Sequence, residues 1–219
     1  MNFKDKVKAM VSAESFAKLE KYAELIEEKN KVMNLTGFKG DRLWEEGIFE
    51  SIDLLQDIPS DQEVKLLDIG AGAGFPSVPF AISNPNVSLT IYEPIAKRCK
   101  FLELVNEELN LGIDIKNIRA EETEDDKVFD YVTARAVASL KALIEISYKP
   151  LKIGAKAIFI KGPKAQEELA DSNKIVHIFK IKPEIKQIIH SSRENNLVIY
   201  TKEKETPIGY PREWKIIVK

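Results

Sequence analysis

A glycine-rich loop and one acidic residue are the first groups in this sequence whose types and spacing could bind a ligand. The loop runs from Asp68 to Pro76 and contains Gly70, Gly72 and Gly74. Glycine lets a backbone approach a ligand closely and adopt positive φ angles. A helix starting after the loop would add free backbone N–H groups. The loop therefore predicts a ligand site or, in the simpler interpretation, a tight turn between a strand and a helix.

The spacing of the glycines excludes two common nucleotide-binding motifs. The dinucleotide motif G-x-G-x-x-G needs a third glycine where this chain has Phe75 or Ser77, and the P-loop would need Gly-Lys-Ser/Thr. The loop is therefore poorly suited to a pyrophosphate. Glu93 ends the next predicted strand, where a carboxylate can accept both hydroxyls of a ribose, although a solvated charge is the alternative. Together the loop and the acid have the layout of an S-adenosylmethionine site, and a nicotinamide oxidoreductase is the least favoured alternative.

The elements that would position these groups alternate between strands and helices. We predict five strands, over 64–69, 87–93, 113–118, 129–135 and 155–161, and helices over 78–82, 96–110, 137–151 and 164–174, the third of them ending just before Gly154. Two further strands, 176–183 and 196–202, have no clear helix between them, with 184–195 unassigned, and would add an antiparallel edge. Because strands that alternate with helices form parallel sheets, the pattern predicts an α/β fold with a doubly wound, mostly parallel, seven-stranded sheet.

The first 60 residues have a different pattern. The spacing of apolar residues predicts an amphipathic helix over 1–33, with a break and a new N-cap near residues 12–15. It predicts a second helix over 41–56. The turn Ile58–Asp61 then marks a boundary. We therefore expect an N-terminal helical cap over 1–60 and a main domain over 61–219, which could form one compact unit.

Composition bounds the class of protein. The chain is 44% hydrophobic and 31% charged, so it can bury a core and is not disordered by composition. It has neither an apolar run near the ~18 residues of a membrane span nor the apolar segment of a secretory signal, so we expect a cytoplasmic protein with no membrane partner. One cysteine, Cys99, and two distant histidines, His177 and His190, argue against disulfides and a metal site.

The distribution of charge is uneven. The net charge is −2, but residues 149–219 carry 15 Lys and Arg against 8 Asp and Glu. This excess predicts a basic face that could meet phosphate, or simply a solvated lysine-rich surface.

Several short motifs are spread over most of the chain: Asn34-Leu35-Thr36, the loop DIGAGAGFPSVP, Lys97-Arg98, Phe101-Leu102, Arg119-Ala120-Glu121, 133–138, Lys161-Gly162 and Tyr210-Pro211-Arg212. Together they resemble the glucose-inhibited division protein B family, the bacterial small-subunit ribosomal RNA guanine-N7 methyltransferases. The resemblance implies the Rossmann-like fold of class I S-adenosylmethionine-dependent methyltransferases. It also implies methyl transfer from S-adenosylmethionine to N7 of a guanine in 16S ribosomal RNA, with small-subunit RNA or the 30S particle as partner. We further expect a monomer.

The resemblance also implies roles for individual residues. In the cofactor site, Gly70 and Phe75 would contact S-adenosylmethionine, and Ala120 and Glu121 would hold the adenine. The whole cofactor-binding set would be Gly70, Gly72, Gly74, Phe75, Glu93, Ala120, Glu121 and Arg135. Arg135 would also face the reacting centre, and Lys161 would lie near the incoming RNA, so these two form the catalytic set. Both end predicted strands, where ordinary surface pairing is the alternative.

The chemistry of the implied reaction agrees with the residues present. Guanine N7 has a lone pair and no proton, so its methylation needs no general base, and the chain has no obvious His/Asp dyad. An enzyme acting on an exocyclic amine would show an Asn/Asp-Pro-Pro-Tyr motif after the fourth strand, where this chain has Thr133 to Val137 without proline or aromatic. A cytosine-C5 enzyme needs a nucleophilic cysteine, and Cys99 follows the wrong strand.

The sequence departs from the family pattern in three places. Glu46-Gly47 stands where the family usually has Arg-His, Lys29 replaces a common tryptophan, and the tail continues Glu213-Trp214 instead of a glycine-proline pattern. These positions lie in the expected cap and tail, where RNA would be gripped. They leave open a non-catalytic S-adenosylmethionine-binding module that binds ribosomes or RNA, or a methyltransferase with another substrate.

Overall fold

The computed structural model describes residues 2–189 and 194–219. His190 and part of the stretch left unassigned at 184–195 lie outside the described residues. Among the described helices, none is long and apolar enough to cross a membrane.

The N-terminal segment folds into helices that break where the sequence predicts. Helix α1 spans Phe3–Met10 and α2 spans Ala13–Met33. Ser12 separates them, because its side chain accepts a hydrogen bond from the Ser15 N–H and caps α2. This confirms the predicted break near residues 12–15.

The second predicted helix, 41–56, is correct in position but not regular. It begins with a π-helical segment, Leu43–Phe49, and continues as α3, Glu50–Leu54. Gly47 lies in the π-helical segment, and a Cβ there would stand 2.9 Å from Cζ of Phe75. The glycine therefore lets the loop residue Phe75 pack directly against the helix backbone, which periodicity alone could not predict.

Seven strands form one sheet within the described residues, in the order β3-β2-β1-β4-β5-β7-β6. All neighbouring pairs are parallel except the two that involve β7. The strands are β1 (Val64–Ile69), β2 (Val87–Tyr92), β3 (Asp114–Lys116), β4 (Phe129–Arg135), β5 (Leu151–Lys161), β6 (Glu184–Ile188) and β7 (Asn195–Thr201). The predicted doubly wound, mostly parallel, seven-stranded α/β fold is confirmed.

The first four of the remaining helices follow the predicted alternation, and the last two are not predicted from the sequence. These helices are α4 (Ser77–Ser83), α5 (Ala96–Leu109), α6 (Leu140–Tyr148), α7 (Ala165–Asp171), α8 (Asn173–Phe179) and α9 (Trp214–Ile217), with a 3-10 turn at Ala120–Glu122. Parallel strands end at the same edge of a sheet, so the residues after β1, β2, β4 and β5 meet there.

The predicted strand at 176–183 is wrong. Its first residues belong to α8, which ends at Phe179 and is followed by Lys180 with φ 54°. The apolar residues Ile175 and Phe179 are buried and lie four apart, so they share one helix face. The apolar residues of the segment fit both a helix period and a strand period. The edge strand that pairs with β7 is instead β6, which lies in the stretch left unassigned.

The junction between α6 and β5 also differs from the prediction. The helix ends at Tyr148 and the strand begins at Leu151, four residues before the predicted start. Gly154, predicted to follow a helix end, lies within β5 with φ 87°, and its N–H donates to the Lys202 carbonyl at 2.7 Å. The register between β4 and β5 shifts beside this point. The positive φ of the glycine is therefore part of an irregularity in the strand and does not mark a helix end.

The core lies on both faces of the sheet. Leu66 and Leu67 are neighbours in β1 but belong to different buried clusters, because successive strand residues point to opposite faces. The first cluster joins strand residues to α2 and the π-helical segment, and the second joins them to α6 and α8. The N-terminal helices therefore share a core with the sheet.

Candidate functional site

The glycine loop lies at the carboxyl end of β1 with a positive φ at all three glycines. Gly70, Gly72 and Gly74 have φ angles of 72°, 61° and 105°, which residues with a Cβ rarely adopt. A Cβ on Gly70 would stand 2.8 Å from Cγ2 of Val137. The loop therefore approaches the chain segment that follows β4, and glycine at position 70 makes that approach possible.

A cavity of about 220 Å³ opens beside this loop. Four of the residues predicted from the sequence line it, and they come from three separate segments: Gly70, Glu93, Ala120 and Glu121. Its other walls are mainly apolar and include Ile95 and Val137. The structure thus brings the loop, the acid after β2 and the segment after β3 together around one space.

Glu93 links the glycine loop to the end of β2. Its carboxylate is buried and accepts the Gly72 N–H at 3.0 Å with one oxygen and the Ile95 N–H at 2.9 Å with the other. Each carboxylate oxygen has a second lone pair, so the ribose contact expected for Glu93 stays a prediction. Cys99 lies behind it and donates its thiol hydrogen to the Glu93 carbonyl.

Glu121 presents an acceptor that no described residue satisfies. Its Oε1 is buried without a hydrogen-bond partner, and the Arg119 guanidinium lies 3.9 Å away. Burial raises the pKa of the Glu121 carboxyl. Because an orphaned buried acceptor is costly, this oxygen fits a ligand that brings an N–H group into the cavity, as an adenine amino group would.

Asp68 is a second buried acid with no hydrogen-bond partner among the described residues. It lies next to the end of β1, fully buried, and neither carboxyl oxygen accepts a hydrogen bond. Burial raises the pKa of Asp68 to about 7. The nearby Ser77 hydroxyl and N–H lower this pKa in part, although neither forms a hydrogen bond with the carboxyl oxygens. Glu93 raises the pKa further. Asp68 therefore holds a proton over much of the acidic range.

Replacing Asp68 by asparagine should change how stability depends on pH. The folded-state pKa lies above the unfolded value, so the neutral acid's stabilisation is complete below about pH 4 and is lost as the pH rises through 7. Asparagine does not titrate, so the Asp68→Asn variant does not lose this stabilisation. The unfolding free energy of the variant minus that of the parent should therefore rise by a few kcal/mol between about pH 5 and about pH 8.5. Urea unfolding at several pH values measures this difference.

The exposed Asp57, which pairs with Lys186 on the surface, supplies the control for this series. Asp57→Asn should show a difference from the parent that changes little across the same pH range. A difference for Asp68→Asn that is equally flat would contradict the assigned protonation of Asp68.

Arg135 lies in a second cavity of about 270 Å³, which shares Ala136 with the first. Its guanidinium donates to the Glu46 carbonyl at 2.6 Å and to Oε2 of Glu50 at 2.5 Å. Glu50 is buried and its other oxygen accepts the Asn195 side-chain amide at 2.9 Å. The helical segment that follows α2 therefore holds Arg135 in place in the second cavity, one residue before the shared Ala136.

Lys161 lines the same second cavity but is not free. Its Nζ donates to the Ala138 carbonyl at 2.9 Å and pairs with Glu168 at 2.7 Å, and its side chain is only 8% exposed. Glu168 also accepts the Leu140 N–H. The structure thus places Lys161 at the predicted edge, joined to the start of α6 and to α7.

The remaining predicted loop residues pack underneath the site. Phe75 is buried, and its ring lies edge-on to Tyr22 and Phe38 at centroid distances of 5.8 and 5.7 Å. The Tyr22 hydroxyl donates to the Ala73 carbonyl at 2.6 Å. Neither Gly74 nor Phe75 lines the first cavity, and their cofactor contacts stay predictions.

Sequence reasoning misses four residues that shape the site: Tyr22, Phe38, Glu50 and Trp214. Tyr22 supports the loop, Phe38 and Glu50 surround Arg135, and Trp214 lines the first cavity. Trp214 had a signal, because it is one of the tail positions that depart from the family pattern, and Glu50 lies three residues after the departure at Glu46-Gly47. The described residues contain no group of three or more His, Cys, Asp or Glu that could hold a metal ion.

The chain is similar to curated proteins over nearly its whole length. A family model described as GidB, rRNA small subunit methyltransferase G, matches residues 15–198. A protein named ribosomal RNA small subunit methyltransferase G from Mycoplasmopsis pulmonis is 41% identical over 224 residues, covering 100% of this chain and 98% of the relative. A protein of the same name from Streptococcus pneumoniae is 36% identical, covering 89% of this chain and 86% of the relative.

Solved structures share the fold at low identity. P. horikoshii TYW2 in complex with MeSAdo has a TM-score of 0.58 at 15% identity, covering 71% of this chain and 62% of that chain. A SAM-dependent methyltransferase from Aquifex aeolicus has a TM-score of 0.57 at 14% identity, covering 74% of this chain and 94% of that chain. These similarities support the architecture of the sheet and its helices.

Proposed function

Because the chain belongs to the GidB family, rRNA small subunit methyltransferase G, we propose that it transfers a methyl group from S-adenosylmethionine to N7 of a guanine in 16S ribosomal RNA. The observation that carries the proposal is the pair of adjoining cavities at the carboxyl edge of the sheet. One is lined by Gly70, Glu93 and Glu121, the other by Arg135, and Ala136 lines both. Two adjoining spaces are what a transfer between a bound donor and an incoming base requires.

The residues of the first cavity fit the cofactor. The buried orphan Oε1 of Glu121 matches an adenine amino group, and the remaining lone pairs of Glu93 match ribose hydroxyls. Gly70 supplies backbone close to the ligand without a Cβ. S-adenosylmethionine would supply a methyl group bonded to a sulfonium, which is a good leaving group.

The residues of the second cavity have to position the target base. Guanine N7 carries a lone pair and no proton, so alignment with the methyl carbon matters more than proton transfer. Guanine presents O6 beside N7 as a second acceptor. Arg135 stays protonated, and a hydrogen bond from its guanidinium to O6 would orient the base while leaving N7 free to react.

Access to this cavity requires an unpaired nucleotide. A side chain cannot read N7 in the deep major groove of an A-form helix, so the guanine must be splayed out of the RNA. Phe38 lines the second cavity and offers an aromatic face beside Arg135, at 5.5 Å from its guanidinium carbon. The site is therefore suited to a base extruded from a loop of the ribosomal RNA. That the protein acts in the cytoplasm as a monomer stays a prediction.

The acidic residue at position 46 does not oppose this function. Its carboxylate accepts two hydrogen bonds from Arg42, at 2.6 and 3.1 Å, and its side chain is 5% exposed. Arg42 therefore compensates the negative charge that replaces a basic residue of the family pattern.

Methyl transfer to purified small subunits tests the proposal. Labelled S-adenosylmethionine should methylate 30S particles from cells that lack the enzyme, and reverse-transcription mapping should locate one N7-methylguanine in 16S RNA. Particles from cells that retain the enzyme are the control and should accept no further label. Label on an exocyclic amine, on cytosine or on free metabolites in preference to subunits would contradict the proposal.

A further inference from the structure

The C-terminal tail of this chain reaches the first cavity. Trp214, the first residue of α9, lines the cavity together with Arg119 and Glu121. It is one of the positions at which the tail departs from the family pattern. The Arg119 guanidinium carbon lies 5.5 Å from the centre of the Trp214 ring, a distance at which a cation and an aromatic face attract.

Contacts made by residues before and after Trp214 fix it in position. Two residues before it, Arg212 forms a bidentate pair with the buried Glu145 of α6, at 2.9 and 2.6 Å, and its N–H donates to the same carboxylate at 2.8 Å. Three residues after it, Ile217 is buried in the second core cluster. Because contacts within the chain hold both sides of Trp214, little conformational entropy is lost when the indole contacts a ligand.

The chemistry around Trp214 is complementary to an aminopurine. An indole offers a flat aromatic face, Ala120 and Ile95 offer apolar surface, and Oε1 of Glu121 is an acceptor without a donor among the described residues. A flat base with an exocyclic amino group satisfies both the acceptor and the aromatic face. A ribose or an amino-acid moiety has no flat face that could stack on the indole.

We infer that Trp214 forms one wall of the purine subsite in the cofactor cavity, an inference that rests on the proposed function. The tail therefore binds cofactor in this chain and does not only cover the second core cluster. A base stacked on an aromatic side chain loses roughly tenfold or more in affinity when that side chain becomes alanine.

Tryptophan fluorescence can observe this contact directly. The chain has two tryptophans, and the other, Trp44, packs against Phe16 at a centroid distance of 5.9 Å, away from the cavity. In a Trp44→Phe variant, Trp214 is the sole reporter. Titration with S-adenosylhomocysteine should then quench or shift the emission, with the same midpoint that calorimetry gives.

Substitutions at Trp214 supply the second readout. Trp214→Ala should raise the calorimetric Kd for S-adenosylhomocysteine about tenfold or more, whereas Trp214→Phe, which keeps an aromatic face, should stay within about threefold of the parent. Ile216→Ala on the same helix is the matched control, because Ile216 is exposed and does not line the cavity. Its Kd and thermal midpoint should equal those of the parent.

The outcomes separate this inference from the proposed function. Binding to the parent with an unchanged Kd in Trp214→Ala, or with no change in the Trp214 emission, would overturn the inference alone. No heat with the parent protein at millimolar ligand would overturn the proposed cofactor and the inference together.

Discussion

Replacing Arg135 by alanine is expected to slow methyl transfer by about 100- to 1000-fold, the usual cost of removing a preorganised donor from an active site. The reason is positional. The guanidinium is fixed by the Glu46 carbonyl and the Glu50 carboxylate in the second cavity. Single-turnover transfer to 30S particles at saturating cofactor measures the effect. Transfer at the parental rate would refute the role assigned to Arg135.

The loss of activity has to be separated from a loss of structure. Arg135→Ala removes a partner from a buried carboxylate, which costs about 3 kcal/mol of stability. The double variant Arg135→Ala/Glu50→Gln removes that uncompensated charge, and the new amide would keep an acceptor oxygen for Asn195. We therefore expect the double variant to recover most of the thermal midpoint but none of the activity. Recovery of transfer in step with stability would show that Arg135 acts only through the fold.

Replacing Gly74 by alanine is expected to lower the unfolding free energy by about 3 kcal/mol. Gly74 has φ 105°, and a Cβ there would stand 2.7 Å from the Tyr22 hydroxyl and 2.8 Å from Cγ2 of Val78. The hydroxyl cannot retreat without losing its hydrogen bond to the Ala73 carbonyl. Urea unfolding of the purified variant measures the change.

Gly72→Ala is the matched control for backbone strain. Gly72 also has a positive φ, 61°, but nothing lies within 4 Å of the position that a Cβ would take there, so only the left-handed backbone cost of about 1–2 kcal/mol should appear. The difference between the two alanine variants isolates the close contact at Gly74. Adding Tyr22→Phe to Gly74→Ala should recover part of that difference, and equal losses for Gly72→Ala and Gly74→Ala would contradict this explanation.

Local pattern is sufficient to predict most of the sheet. Strand β4 has the bounds predicted from the run FDYVTAR, because a buried parallel strand reads as a short, β-branched and aromatic segment between turn signals. The same reasoning fails at 176–183, because the apolar residues of that segment satisfy both a helix and a strand period. Only its packing against α6 selects the helix.

The candidate site is predictable where its residues follow strand ends. Gly70, Glu93 and the pair Ala120–Glu121 each come directly after a strand or soon after one, so topology alone brings them together. The partners of Arg135 are not predictable in this way. Glu50 is 85 residues from Arg135 and 145 residues from Asn195, and contacts at such separations depend on how the N-terminal helices pack.

The place of β7 in the sheet bears on the order in which the chain is synthesised. Strand β7 lies between β5 and β6 and pairs with both, although it follows both in the sequence. Until the ribosome has added Thr201, one edge of β5 therefore has no strand beside it, and an open edge invites pairing with other chains. A nascent chain that stalls before Asn195 should for this reason be prone to aggregation and depend on chaperones.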